Sequence, residues 1–118
     1  IRVRDVTGVQ TCALPIWLSK VNAPGASFRN AKMVGADLEF ARVMRADFSG
    51  ADLTAANLEA AKAAFAWFPR ARLSNANLQE TKFGACNFQG ANLEGALLRY
   101  TIFPDSSFEG CTGCPTDW

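Results

Sequence analysis

Residues 51–60 read ADLTA-ANLEA, two five-residue units with a small residue first, a polar residue second and a large apolar residue third. The same pattern runs from residue 26 to residue 110 without insertion or deletion, which makes seventeen units. The first position is Ala thirteen times, and the third position is Leu or Phe fourteen times. A repeat of this length has to be explained by the fold before local secondary structure is assigned.

A five-residue period fits neither a helix nor a straight strand. A helix turns about 100° per residue and would scatter the apolar residues around its circumference, whereas a strand alternates with period two and five is odd. The pattern favours a short segment with its first and third residues pointing inward, followed by a two-residue corner. Four such sides close a coil of twenty residues, and coils stack about 4.8 Å apart. We therefore predict an all-β fold, a right-handed quadrilateral parallel β-helix of about four coils.

The twenty-residue turn predicts that third-position residues twenty apart stack on each other. Two columns are uniform in residue type, one all phenylalanine and one all leucine. We predict that both columns form the structural core: Phe28, Phe48, Phe68, Phe88 and Phe108, with Leu38, Leu58, Leu78 and Leu98. Repeated aromatic rings in such a column are expected to stack in offset fashion.

The units Ala51-Asp52-Leu53, Ala56-Asn57-Leu58 and Ala91-Asn92-Leu93 follow the consensus A-(D/N)-L-x-x, which resembles the pentapeptide-repeat family. The resemblance covers 85 of the 118 residues. It implies the same right-handed quadrilateral β-helix that the spacing favours. It also implies one candidate role, because some members mimic duplex DNA, bind type II topoisomerases and protect them from quinolones.

The predicted domain boundaries follow the repeat. We expect the β-helix at 26–110, an N-terminal cap remnant at 17–25 and a C-terminal cap or tail at 111–118. The chain begins with Ile1 rather than Met, and residues 6–16 resemble the translation of a sequencing adapter. We therefore expect residues 1–16 to be non-native and exclude them from the fold. A repeat fragment of a larger multidomain protein stays an alternative.

Composition excludes several classes of function. The chain contains no histidine, which excludes Ser-His-Asp and Cys-His catalysis and histidine-ligated metals. The net charge of +1 argues against direct binding of nucleic acid. A filled interior and flat sides offer no cleft, so we predict no enzymatic activity, no catalytic or metal-ligating residue and no cofactor. No apolar run approaches the eighteen residues that would span a bilayer, so we expect no membrane partner. Because we expect the native N-terminus to be missing, the localisation stays open, with the cytoplasm slightly favoured.

Two segments carry open alternatives. Residues 58–68 read LEAAKAAFAWF and are rich in helix formers, so a short helix competes with a coil that has a defect at Ala63. The pair Cys111-x-x-Cys114 is compatible with a redox site or half a zinc site. Cys86 is the only other cysteine beyond residue 16, so we favour a structural or incidental role for the pair.

The outward positions supply the candidate contacts. Arg42, Lys62 and Lys82 fall on one outward column, and Phe65 and Trp67 are outward-pointing neighbours in sequence. These five residues are the predicted partner contacts. The competing interpretations are a solvated face whose charges are offset by nearby carboxylates, and aromatic side chains that fold over the defect at Ala63.

The leading hypothesis is therefore a non-catalytic scaffold or protein–protein interaction module with an unidentified protein partner. Self-association through the coil ends is a further option, because uncovered strand edges invite pairing. The DNA-mimic alternative needs a strongly negative surface. Residues 26–118 carry nine Lys+Arg and ten Asp+Glu, a net charge of −1, which disfavours it.

Overall fold

The computed structural model describes residues 16–116, and these residues form a stack of square coils. Each repeat contributes one isolated parallel β-bridge to the residue twenty positions further on, as between Asp37 and Asn57 and between Asn57 and Asn77. Within that range no residue is helical, and no strand is longer than its single bridge. The right-handed quadrilateral β-helix expected from the sequence is confirmed.

Three backbone hydrogen bonds per repeat join one coil to the next. The Leu38 N–H donates to the Asn57 carbonyl at 2.7 Å, and the Phe40 N–H donates to the Glu59 carbonyl at 2.9 Å. In return the Asn57 N–H donates to the Ala36 carbonyl at 2.8 Å. The stack thus satisfies backbone groups that would otherwise be costly to bury.

Each corner is a tight turn with a left-handed residue. The Ala41 N–H closes one corner by donating to the Leu38 carbonyl at 2.9 Å. Every fifth residue from Lys20 to Gly110 has a φ between 53° and 75°, and thirteen of these nineteen residues are not glycine. Positive φ at the third residue of a four-residue turn is the geometry of a type II turn. It costs a residue with a Cβ about 1–2 kcal/mol, which the hydrogen bonds between coils must outweigh.

The Asp or Asn at the second position has a structural role at the corner. Its Oδ1 accepts a hydrogen bond from the N–H two residues later, as from Glu39 to Asp37 at 3.1 Å and from Glu59 to Asn57 at 3.0 Å. Asp and Asn are favoured in turns because their short side chains form this local bond. The second position therefore helps the chain to turn, in addition to facing solvent.

The core consists of the inward first and third positions. The rings of Phe28, Phe48, Phe68 and Phe88 are fully buried and stack with centroids 4.7, 4.9 and 5.0 Å apart. Phe108 continues the stack at 5.6 Å but is only partly buried. The leucine column behaves in the same way: Leu38, Leu58 and Leu78 are fully buried, whereas Leu98 is partly buried.

The coil extends further than the sequence analysis predicted. Trp17 bridges to Asp37 and Asn22 bridges to Arg42, so residues 16–25 form two more repeats where we expected a cap remnant. The pattern was obscured there because Ile16 and Val21 replace the usual alanine at the first position. Ile16, expected to be non-native, packs against the core, and the rest of that expected segment, residues 1–15, lies outside the described residues. At the other end Thr112 still bridges to Asn92.

Residues 58–68 continue the coil, so the helical alternative is wrong. The Ala63 N–H donates to the Lys82 carbonyl at 3.0 Å, and the Phe65 N–H donates to the Gly84 carbonyl at 2.7 Å. Twenty residues beyond Ala63, the ring of Phe83 packs edge-on against Phe68 with centroids 5.5 Å apart. The small residue is therefore accommodated by the aromatic rings around it, and the register is kept.

Candidate functional site

The interior offers no chemistry to a ligand. Among the described residues, no charged side chain is buried, and the buried hydroxyls bond within the fold, Ser49 to the Asp47 carboxylate and the two buried threonines to the backbone. Thr81 Oγ1 donates to the Leu58 carbonyl at 2.6 Å, and Thr101 Oγ1 donates to the Leu78 carbonyl at 2.5 Å. These side chains tie one coil to the one below it, so any functional site lies on the outside.

The cysteines are structural in their surroundings. Burial raises the pKa of Cys86 to about 12, and its Sγ donates to the Ala63 carbonyl at 2.8 Å. A thiol that stays protonated is a poor nucleophile and a poor metal ligand. Cys111 and Cys114 are joined in a disulfide with Cα atoms 5.7 Å apart. Across residues 16–116, no three His, Cys, Asp or Glu side chains are grouped to hold a metal ion, and no helix is long and apolar enough to cross a bilayer.

The outer surface has four faces, each defined by its column of bridging residues. Face A and face B adjoin, and face C follows face B around the coil. In chain order these columns are Trp17, Asp37, Asn57, Asn77 and Leu97 on face A; Asn22, Arg42, Lys62, Lys82 and Ile102 on face B; Ser27, Asp47, Trp67, Asn87 and Ser107 on face C; and Lys32, Asp52, Arg72, Asn92 and Thr112 on face D.

Face B presents a row of cations. Arg42 bridges to Lys62 and Lys62 to Lys82, so the three exposed side chains follow one another at about 4.8 Å, the spacing of neighbouring strands. None of the three has an ion pair within the part of the chain that the structure describes. The ion pair that is formed there joins Arg29 to Asp47 at 3.9 Å. The positive charges of face B are therefore not neutralised by ion pairs with other described side chains.

The carboxylates expected to offset these charges do not face the cations directly. Asp37 lies on face A, and its Oδ1 accepts from the Glu39 N–H. Glu39, Glu59 and Glu80 lie along the corner between faces A and B. Glu59 Oε2 accepts from Asn77 Nδ2 at 3.0 Å, and so points toward face A. The acidic corner moderates the field of face B without pairing its cations.

Phe65 and Trp67 lie side by side, Phe65 at the corner between faces B and C and Trp67 on face C. Their exposed fractions are 54% and 52%, so they do not close over Ala63 as the competing interpretation required. Together with Arg45, Ala85 and Asp105 they line an open depression of about 420 Å³, which Ala66, Cys86, Asn87 and Ser107 complete.

The structure thus brings the predicted contacts onto neighbouring surfaces and adds residues that were not among the predicted contacts. Arg45 places its guanidinium carbon 5.3 Å from the centre of the Phe65 ring, and Asp105 lies on the same corner. The signal was available, because fifth positions twenty residues apart share a corner just as third positions share a core column. A second depression, also about 420 Å³, lies between Lys82 and Ile102 of face B and the corner residues Glu80 and Tyr100.

Comparison with known proteins supports the fold. A family model described as pentapeptide repeats matches the chain in eight copies, over residues 18–50, 51–90 and 76–112. No protein of curated function matches the sequence significantly.

Several solved structures are similar to this one. The pentapeptide repeat protein Rfr23 from the cyanobacterium Cyanothece 51142 is 21% identical with a TM-score of 0.79, covering 94% of this chain and 85% of that protein. A pentapeptide repeat protein from the thylakoid lumen of Arabidopsis thaliana is 26% identical with a TM-score of 0.72, covering 79% and 68%. QnrB1, a plasmid-mediated fluoroquinolone resistance protein, is 16% identical with a TM-score of 0.62, covering 83% and 67%.

Proposed function

The chain belongs to the pentapeptide-repeat family, and on that premise we propose that it is a non-catalytic scaffold that binds a protein partner. The proposed contact surface is face B with the corner that leads to face C. It comprises the cations Arg42, Lys62 and Lys82 and the aromatic residues Phe65 and Trp67.

The observation that carries this proposal is the exposed aromatic pair beside a cationic column that forms no ion pair within residues 16–116. Tryptophan and arginine are enriched among the residues that dominate binding energy at protein interfaces. The backbone under them is hydrogen-bonded to the coils above and below, as the Trp67 N–H is to the Ala46 carbonyl at 2.9 Å. A rigid surface loses little conformational entropy on binding, which favours recognition by fixed side chains.

The DNA-mimic role gains no support from this surface. A mimic of duplex DNA presents regular negative charge, whereas face B presents Arg42, Lys62 and Lys82 in succession. The similarity to QnrB1, at 16% identity, supports a common fold and nothing finer.

A pull-down with three forms of the protein tests the proposal. The parent chain, Trp67→Ala and Phe40→Ala are immobilised, and partners from a lysate of the encoding organism are identified and then purified for a direct binding measurement. We expect a partner that binds the parent and the Phe40→Ala variant but is lost with Trp67→Ala. Phe40 is the matched control because it is an aromatic corner residue with a similar exposed fraction, 52%.

A charge reversal tests the second half of the surface. The double variant Lys62→Glu and Lys82→Glu is expected to weaken the same partner at low salt, because it inverts the charge of face B without touching the core. Retention of every partner by both Trp67→Ala and the double variant would show that recognition occurs elsewhere.

A further inference from the structure

The corner between faces B and C holds an incomplete stack of side chains. Its fifth-position residues, one coil apart, are Gly25, Arg45, Phe65, Ala85 and Asp105. The guanidinium of Arg45 lies 5.3 Å from the centre of the Phe65 ring, on the side of the preceding coil. On the following coil the next residue is only an alanine, so the other side of the ring faces open space.

That open space is bounded on its far side by a carboxylate. Phe65 and Asp105 are two coils apart, about 10 Å along the axis at the usual spacing of neighbouring strands. Both line the same depression of about 420 Å³, and Trp67 forms part of its lining. Asp105 has no ion pair or side-chain hydrogen bond within residues 16–116. We call this space, between Phe65, Trp67 and Asp105 above Ala85, the corner slot.

We propose that the corner slot receives an arginine side chain of the protein partner. Its guanidinium stacks on the open side of the Phe65 ring and pairs with the Asp105 carboxylate, and its aliphatic stem lies against Trp67. The inference names the partner chemistry for part of the surface proposed above and rests on that proposed function.

A cation is selected at the corner slot by Asp105, the carboxylate of its lining, whereas the lining cation Arg45 lies on the opposite side of the Phe65 ring and the cations of face B lie across the corner. Asp105 repels a carboxylate, and the bridging residues of face C include no cation, with Asp47 as their one charged member. Arg45 shows that the Phe65 ring accepts a guanidinium on one side, and stacking on both sides of an aromatic ring is open to a planar group. Arginine suits the slot better than lysine because its planar guanidinium stacks on an aromatic ring and keeps N–H groups free to donate to a carboxylate.

The chain contains its own control for this arrangement. The corner between faces A and B has the same order one coil earlier, Lys20, Phe40, Ala60 and Glu80, and Tyr100 follows there on the next coil. There the bridging residue that follows the phenylalanine is Arg42, whereas Trp67 follows Phe65. The cations of face B adjoin both corners, so the two corners share a pattern and differ in the residue that follows the phenylalanine, an indole ring at the corner slot and a guanidinium at the second corner.

The experiment is a titration followed by two-dimensional NMR of the folded chain at low ionic strength. The probe is N-acetyl-arginine amide, and its neutral isostere N-acetyl-citrulline amide is the control. We expect the arginine probe to shift the Trp67 indole N–H and the amides of Ala85 and Asp105, and the citrulline probe to leave them in place. Asp105→Asn should weaken the binding of the arginine probe about threefold to fivefold, because one exposed ion pair is lost. Glu80→Gln, at the control corner, should leave the affinity unchanged.

A further variant tests the shape of the slot. Ala85→Leu fills the gap above Phe65 from an exposed position and should abolish the shifts. Equal shifts with citrulline, equal weakening by Glu80→Gln, or unchanged binding by Ala85→Leu would each overturn the proposal. A purified partner that is lost with Trp67→Ala but retained by Asp105→Asn would also overturn it, while leaving the proposed function standing.

Discussion

Leu58 and Ala60 lie two residues apart in one repeat and are subject to opposite constraints. Leu58 is fully buried between the leucines of the neighbouring coils, so its position selects side chains by size and polarity. Ala60 is partly exposed at a corner with a φ of 59°, and residues as different as Lys20, Phe40 and Glu80 share its column. The interior is therefore restricted to apolar side chains and to small hydroxyls that bond to the backbone, and the corners are free to vary and to carry recognition.

The largest expected effect on the free energy of unfolding comes from placing a charge at the interior position, Leu58. Leu58→Asp loses the buried leucine and leaves a carboxylate without a partner, which should cost more than about 4 kcal/mol of unfolding free energy. That is much of the stability of an ordinary domain. Urea denaturation followed by circular dichroism measures the change.

Two controls accompany this variant. Ala60→Asp puts the same side chain at the corner, and Asn57→Ser keeps a group able to accept the hydrogen bond from the Glu59 N–H. Both should unfold within about 1 kcal/mol of the parent, as surface substitutions usually do. If Leu58→Asp unfolded at the same urea concentration as Ala60→Asp, the inward and outward assignments would be wrong.

A smaller effect, of opposite sign on the two sides, is expected for glycine. Ala61 is fully buried at a first position, and Ala61→Gly should destabilise by about 1–2 kcal/mol through the lost methyl group and the added freedom of the unfolded chain. At Ala60 the left-handed φ favours glycine, because glycine has no Cβ to strain. This gain offsets the extra conformational entropy of the unfolded chain, so Ala60→Gly should be neutral or stabilising by up to about 1 kcal/mol. Thermal unfolding of both variants shows the difference, and equal destabilisation by both would contradict the corner geometry.

The mildest effect depends on pH and concerns the buried thiol of Cys86. The thiol ionises near its ordinary value of 9.0 in the unfolded chain, whereas burial raises the pKa in the fold to about 12. Above pH 9 the unfolded state releases a proton that the folded state keeps. The stability from the neutral thiol is therefore complete below pH 9 and is lost as the pH rises toward 12.

Cys86→Ala isolates this contribution, because alanine occupies the three positions below it in the column, Ala26, Ala46 and Ala66. Between about pH 8 and pH 10 the parent should lose stability more steeply than the variant, by at most about 1.4 kcal/mol per pH unit for one proton. Urea midpoints at several pH values provide the measurement. Parallel pH profiles would show that the thiol is not shielded as the structure indicates.

Much of the architecture could be predicted because the first position of each repeat has room only for a small residue and the third position is filled by a large apolar one. The twenty-residue register correctly predicted that Phe28, Phe48 and Phe68 share one column, and their rings stack. The start of the coil was missed, because Ile16 and Val21 depart from the alanine consensus while keeping the geometry. The corner conformation was missed as well, since most of its residues are not glycine and the strain they carry leaves no compositional trace.

The five-residue period by itself determined that this chain winds into a square β-helix, because no other regular backbone keeps the first and third residues of every quintet inside. Only the tertiary structure decided how the side chains at a shared corner are directed and which charges of residues 16–116 form no ion pair. Those relations join residues twenty or forty positions apart, as with Arg45 and Phe65 or Phe65 and Asp105. They depend on side-chain directions at left-handed corners, and local sequence preference does not specify these directions.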